Sequence, residues 1–80
     1  MINHTTIGRE NLLKKIKDQR IRYAGNARLK IFGRLNCKSG KRMKKQHRVF
    51  FETETEAIFF GFRPCGHCMP GKYKKWKLDN

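Results

Sequence analysis

Apolar residues first recur at helical spacing in Leu12, Leu13 and Ile16. The stretch Gly8 to Asp18 therefore predicts a short amphipathic helix, with Thr5 or Thr6 available to cap its start. The period then shortens. Ile21 to Ala24 alternates polar and apolar residues, Gly25-Asn26 offers a turn that tolerates positive φ, and Leu29-Lys30-Ile31-Phe32 alternates again. That pattern reads as a β-hairpin. From Cys37 to Gln46 the alternation stops, and Ser39-Gly40 interrupts a run containing Lys38, Lys41, Arg42, Lys44 and Lys45, too charged for a core and read as a basic loop. Arg48-Val49-Phe50-Phe51 predicts another strand. Thr53-x-x-Glu56 is a capping box that starts a helix through Ala57, Ile58 and Phe59. Gly61 can end that helix in the left-handed conformation, with Phe62 placed for the accompanying apolar contact. Pro64 forbids further helix, and Lys72 to Leu78, with Tyr73 and Trp76, predicts a last helical turn or two. Together these elements predict a small α+β domain, with a short antiparallel or mixed sheet from the segments near Ile21, Leu29 and Val49. Helices near Leu12 and Ala57 are expected to pack against it.

Length and composition tighten this picture. Eighty residues, 38% of them hydrophobic, make a single domain with a thin core that calls for a staple. The longest apolar runs, Val49-Phe50-Phe51 and Ala57-Ile58-Phe59-Phe60, fall well below the roughly 20 residues of a membrane helix. Met1 to Gly8 lacks the basic start and apolar core of a signal peptide, and three cysteines cannot all pair within one chain. A soluble protein of the reducing cytoplasm is expected. The formal charge is +14, and Arg9 to Arg48 holds 15 basic and 2 acidic residues (+13) against 5 and 4 (+1) in Val49 to Asn80. Such a concentration attracts polyanions, so nucleic acid is the expected partner. An anionic membrane surface fits less well, since no basic amphipathic helix with an aromatic face is evident.

The chemistry concentrates in Gly61-Phe62-Arg63-Pro64-Cys65-Gly66-His67-Cys68-Met69-Pro70. Two thiolates two residues apart can occupy adjacent corners of a tetrahedron, and Zn²⁺ is the expected ion. Cys37 is the only other thiol, which leaves a fourth position for His47, for His67, for water or for an exogenous ligand, with His4 more remote. The alternative is that the histidines are surface residues, or that the cysteines are simply buried. For phosphate contacts the first candidates are Lys38, Lys41, Arg42, Lys44, Lys45 and Arg48, which adjoin Cys37 in sequence, followed by Arg34. Arg63 fits either a phosphate contact or a structural bond to loop carbonyls. Trp76, Tyr73 and Phe62 could stack on bases, although single aromatics at such spacings more often belong to a core. No Ser/His/Asp spacing, phosphate-cradling glycine loop or carboxylate pair in an apolar setting is present, so a hydrolase is not expected.

The stretch from Asp18 to Pro70 resembles the N-terminal metal-binding domain of the bacterial adaptive-response protein Ada, with Gly71 to Asn80 as a basic, aromatic tail of helical pattern. Gly61-Phe62-Arg63-Pro64-Cys65-x-x-Cys68-x-Pro70 follows that family's second cysteine motif, and Val49-Phe50-Phe51 and Glu56-Ala57 fall at its spacing. The first motif places an aliphatic and an aromatic residue before a cysteine, with a second cysteine four residues on. Here it reads Ile31-Phe32-Gly33-Arg34-Leu35-Asn36-Cys37, so Gly33 stands where the first cysteine belongs. In the family, four thiolates hold one zinc and that first cysteine accepts a methyl group from a DNA phosphotriester. The resemblance implies zinc ligation by Cys37, Cys65 and Cys68 and leaves the acceptor unassigned.

Four thiolates on Zn²⁺ give a net −2 that drives methyl transfer, whereas three with a neutral fourth ligand give −1. By the resemblance, the latter is also the charge of the methylated family site, which repels DNA less. Constitutive DNA binding by a zinc module linked to alkylation repair or its transcriptional regulation is therefore the first reading. A single-turnover methyl acceptor using Cys37 or another remaining thiolate is the second, and a zinc-stapled RNA-binding protein the third. The further domains that Ada proteins carry do not fit in this chain, so any transcriptional activation would come from partners.

Overall fold

The structure is a computed structural model that describes residues 1–37 and 43–79. In chain order it contains β1 (Ile2–Asn3), α1 (Arg9–Lys17), β2 (Tyr23–Asn26), β3 (Ile31–Arg34), a 3-10 turn (Lys45–His47), β4 (Arg48–Phe51), α2 (Glu54–Phe59), β5 (Arg63–Pro64) and α3 (Pro70–Asp79). The strands form one mixed sheet in the order β1-β4-β2-β3-β5. All neighbours are antiparallel except β3 and β5, which pair in parallel with Ile31 opposite Arg63 and Phe32 opposite Pro64. The expected α+β class and mixed sheet are present, and two strands of two residues each complete its edges.

The hairpin forms, but its turn lies later than Gly25-Asn26. Asn26 ends β2, its Oδ1 accepts from the Arg28 and Leu29 amides (2.9 and 3.1 Å), and Lys30 takes the left-handed conformation at φ 57°. An Asn side chain that caps its own turn supplies the reversal. Gly25 instead lies inside β2, where a Cβ would stand 2.9 Å from Phe51 Cε2 and 3.2 Å from Phe62 Cδ2. It is a packing glycine, required by two aromatic rings that press on the strand.

Helix α1 also starts differently from expectation. Gly8 is its N-cap and offers no side chain, while the Thr5 and Thr6 hydroxyls donate to Asn3, at Oδ1 (2.8 Å) and the backbone oxygen (3.0 Å) respectively. Both threonines are occupied in the turn before the helix. Only Leu12, Lys15 and Ile16 of α1 are even half-buried, so this helix lies lightly on the body.

The C-terminal half follows its sequence signals closely. Thr53 Oγ1 accepts from the Glu56 amide at 3.1 Å, and Glu56 Oε1 reaches back to the Glu52 amide at 2.9 Å, a capping box displaced by one residue from its usual second partner. At the other end of α2, the Phe62 amide donates to Ala57 O (3.0 Å) and the Gly61 amide to Ile58 O (2.9 Å), with Gly61 at φ 84°. These two bonds make a Schellman stop. Phe62 then swings into the core.

Strand alternation decides which face is dry. Phe32, Val49 and Phe51 point to one side, where Ala57, Phe62 and Met69 complete the core. Phe51 and Phe62 meet edge to face at 4.9 Å, and Phe32 and Phe51 at 6.4 Å, the arrangement aromatic quadrupoles favour. Ala24, Asn26, Ile31, Gly33, Arg48 and Phe50 point to the other side. That second face carries the cavity described next.

Candidate metal centre and its cavity

Cys37, Cys65 and Cys68 come from three different structural settings, and their sulfurs all lie within 4.8 Å of one another. Cys37 follows the end of β3, where its amide donates to Arg34 O at 3.1 Å. Cys65 follows β5 and is anchored by its own amide to Phe32 O at 2.7 Å. Cys68 precedes α3 by two residues. The Cys65–Cys68 turn is held by the Met69 amide on Cys65 O (3.0 Å), and α3 starts at Pro70 directly after it. Two backbone amides aim at thiols: His67 N–H at Cys65 Sγ and Arg34 N–H at Cys68 Sγ, both at 3.4 Å.

The geometry suits zinc. A Zn–S bond of about 2.3 Å implies a tetrahedral sulfur–sulfur edge of about 3.8 Å, and Cys37 and Cys65 sulfurs stand 3.9 Å apart. Burial pushes the Cys68 thiol up to about 11; the Arg34 amide works against the rise, and the Cys37 and Cys65 sulfurs add to it. A divalent cation held among the sulfurs would favour the thiolate form of Cys68 instead. Amides directed at sulfur stabilise the thiolate form in the same sense.

Among the described residues no histidine or carboxylate joins this group, and Lys38 to Arg42 and Asn80 include neither residue type. His67 is exposed and meets Cys65 through its backbone amide. His47 precedes β4 at the end where Arg48 pairs with Asn26, whereas Gly33 pairs with Ala24 further along the hairpin. It therefore sits two strands away, about 9.6 Å across the sheet from β3. His4 is further still, packed edge-on against Phe50 at 5.1 Å.

Gly33 occupies the middle of this arrangement. A Cβ built there would stand 2.7 Å from Cys68 Sγ, 3.1 Å from Cys65 Cβ and 4.0 Å from Cys37 Cβ. A side chain at position 33 would thus enter the thiol group itself, and the Cys68 sulfur partly fills the space it would use.

Beside the thiols a cavity of about 400 Å³ opens on the sheet's second face, lined by Cys37, Cys65 and Gly33 together with the apolar Leu29, Ile31 and Phe50. Arg34, Arg48 and Arg63 also line it. Arg63 is fixed there: its Nη1 donates to Pro64 O at 3.1 Å, and its guanidinium lies 4.9 Å from the Tyr73 ring, which itself stacks on Trp76. The structural side of the Arg63 expectation is thereby met, and Tyr73 and Trp76 are engaged with it. Phe62 is core, not a stacking platform for bases.

Of the expected basic residues, the structure brings Arg34 and Arg48 to the cavity. Lys44 and Lys45 are exposed and do not line it. Lys38, Lys41 and Arg42 lie outside the described residues. The wall formed by Leu29, Ile31 and Phe50 escaped the sequence reading, although the alternation of β3 and β4 carried the signal by leaving Ile31 and Phe50 on the face opposite Phe32 and Phe51.

No helix among the described residues is long and apolar enough to cross a membrane. No curated protein and no solved structure matches the chain. One family model does, the metal binding domain of Ada, over residues 15–71. That span takes in Gly33 and all three cysteines and slightly exceeds the resemblance read from the motifs. Covering well over half of the 80 residues, it makes the chain a member of the family of Ada metal-binding domains.

Proposed function

We propose that Cys37, Cys65 and Cys68 hold one zinc ion and that the basic surface beside them binds the DNA phosphate backbone, in a role linked to alkylation repair or its transcriptional regulation. The observation that carries this reading is the convergence of three thiols with Arg34, Arg48 and Arg63 around one cavity. The ion supplies a structural anchor and sets the local charge. With three thiolates the centre carries about −1, low enough not to repel a phosphate chain drawn in by the field of Arg9 to Arg48. Affinity for DNA is then present without prior methylation.

The test is fluorescence anisotropy on a duplex of about 20 base pairs, with and without methyl phosphotriesters, across a salt series. Each phosphate neutralised contributes about 0.9 to the slope of log affinity against log salt, so about four to six contacts give a slope near −4 to −5. Equal affinity for the two duplexes supports constitutive binding. Affinity that rises only with the methylated duplex overturns it, and stronger binding to structured RNA moves the function to RNA.

A second reading has one observation in its favour: Cys37 and Cys65 line the cavity and Cys68 does not. A thiolate at either position would attack the methyl carbon of a phosphotriester, forming an S–C bond as the C–O bond breaks and the phosphodiester leaves as the anion. Nothing in the chain regenerates the thiol, so turnover would be single. Mass spectrometry after exposure to methylated DNA decides it: one added methyl on Cys37 or Cys65 supports transfer, and an unchanged mass excludes it.

A further inference from the structure

Three protein thiols leave a tetrahedral ion one ligand short, and the described residues offer no fourth. Resting on the zinc reading above, we propose that the cavity admits a small thiol bearing a carboxylate, whose sulfur completes the metal centre as an exchangeable ligand. Four observations point to this chemistry. First, Gly33 has no side chain and lies against the thiols, and Gly33, Cys37 and Cys65 all line the cavity. Second, Cys68 lies against Gly33 and the Arg34 amide, outside the cavity lining, so the cavity approaches the cluster from the side of Cys37 and Cys65.

Third, Leu29, Ile31 and Phe50 give the lining an apolar part that suits a short alkyl chain. Fourth, the charged residues among the described lining are all cationic, Arg34, Arg48 and Arg63, with Asn26 as a neutral polar neighbour. Guanidinium groups pair with carboxylates in bidentate geometry. Their field also offsets the second negative charge that a fourth thiolate brings. A site already built of thiolates holds a soft ion and selects sulfur over oxygen donors. On binding, the thiol S–H gives its proton to solvent as the sulfur–metal bond forms, and nothing is oxidised or reduced.

Cobalt(II) in place of zinc makes the test visible, because its d–d and sulfur-to-metal charge-transfer bands report the number of thiolates. The probes are 3-mercaptopropionate, which carries a carboxylate, and 2-mercaptoethanol, which does not. The expected result is a three-thiolate spectrum that gains charge-transfer intensity in step with one added thiolate, at lower concentration for 3-mercaptopropionate. Arg34→Gln should weaken 3-mercaptopropionate by about two- to fivefold, the range of an exposed ion pair, and 2-mercaptoethanol by a smaller factor. Gly33→Cys should show the four-thiolate spectrum with no thiol added and should not respond to either probe. A cobalt-loaded protein whose bands neither thiol moves overturns the inference and leaves the metal reading intact. Loss of cobalt to the thiols, with the three-thiolate bands disappearing, overturns it equally. Failure to bind cobalt through the cysteines overturns both.

Discussion

The two halves of the cysteine centre are built by different means. Cys65 and Cys68 lie on a four-residue turn between β5 and α3, oriented by short-range bonds such as the Met69 amide on Cys65 O and the His67 amide on Cys65 Sγ. Cys37 hangs from the end of a hairpin, and its approach to Cys65 depends on β3 and β5 pairing across some thirty residues of chain. One half is shaped by neighbours in sequence and then tied to β3 by the Cys65 amide on Phe32 O and the Arg34 amide on Cys68 Sγ; the other depends wholly on the closure of the sheet. A locally fixed pair and a remotely delivered single ligand should respond differently to damage.

The largest effects should come from the cysteines. Serine at Cys37, Cys65 or Cys68 is expected to abolish zinc retention, and chelating the ion from the intact protein should remove metal-linked stability on the order of 10 kcal/mol. Zinc content and melting curves with and without chelator measure this. The contrast lies in what survives: Cys37→Ser should keep the Met69 amide protected from hydrogen exchange, and Cys65→Ser should lose that protection. Equal loss in both variants would break the distinction between the halves.

Gly25→Ala acts chiefly on the remote half. Its Cβ would meet Phe51 at 2.9 Å, and overpacking of this kind costs about 1–3 kcal/mol, read as a lower urea midpoint at unchanged slope. Zinc affinity should fall with it, since the hairpin delivers Cys37. Thr53→Ala removes the cap of α2 at about 1 kcal/mol. That change belongs to the local half and should lower the melting temperature while leaving zinc affinity nearly unmoved.

The smallest effect concerns Glu54, which ties α2 to both neighbours: the Tyr23 hydroxyl donates to its Oε1 at 2.8 Å, and Lys72 of α3 donates to the same oxygen. Burial alone would raise this carboxyl, but the hydrogen bonds from Lys72 and Tyr23 and the charges of Lys72 and Arg22 outweigh it and hold it below its ordinary value. The stabilisation is therefore complete above the unfolded value of about 4.3 and fades as pH falls through the lower folded one. Glu54→Gln should flatten the acid limb of the stability profile by less than about 1 kcal/mol. A parallel downward shift of the whole profile would mean the carboxylate charge plays no part.

What could be read from the chain divides along similar lines. The capping box, the Gly61 stop, the strand Arg48–Phe51 and the cysteine turn are signals complete within a few residues, and each appears where the sequence placed it. Apart from the Asn3 and Asn26 turns, the differences are nonlocal. Gly25 looked like a turn residue because its constraint comes from Phe51 and Phe62, far along the chain. The edge strands Ile2–Asn3 and Arg63–Pro64 are too short to show any alternation. His47 stood near Cys37 in sequence, and only the strand register shows that two strands separate it from the thiols. The cavity belongs to no segment at all, being the shared outer face of β2, β3 and β4.

An ion held by these cysteines would also act as a crosslink. Cys37 and Cys65 are 28 positions apart, and the chain between them includes β4 and α2, so a metal held by both closes a loop around most of the core. For a covalent bridge, closure of that length removes about 3.5 kcal/mol of unfolded-chain entropy. A centre whose ligands are distant in sequence therefore limits the disorder of the unfolded chain wherever the ion stays bound to it. It also favours a sequence of events on folding, with the hairpin and the α2 turn forming first and ring closure through the metal last, because loop-closure entropy is lost before long-range contacts repay it.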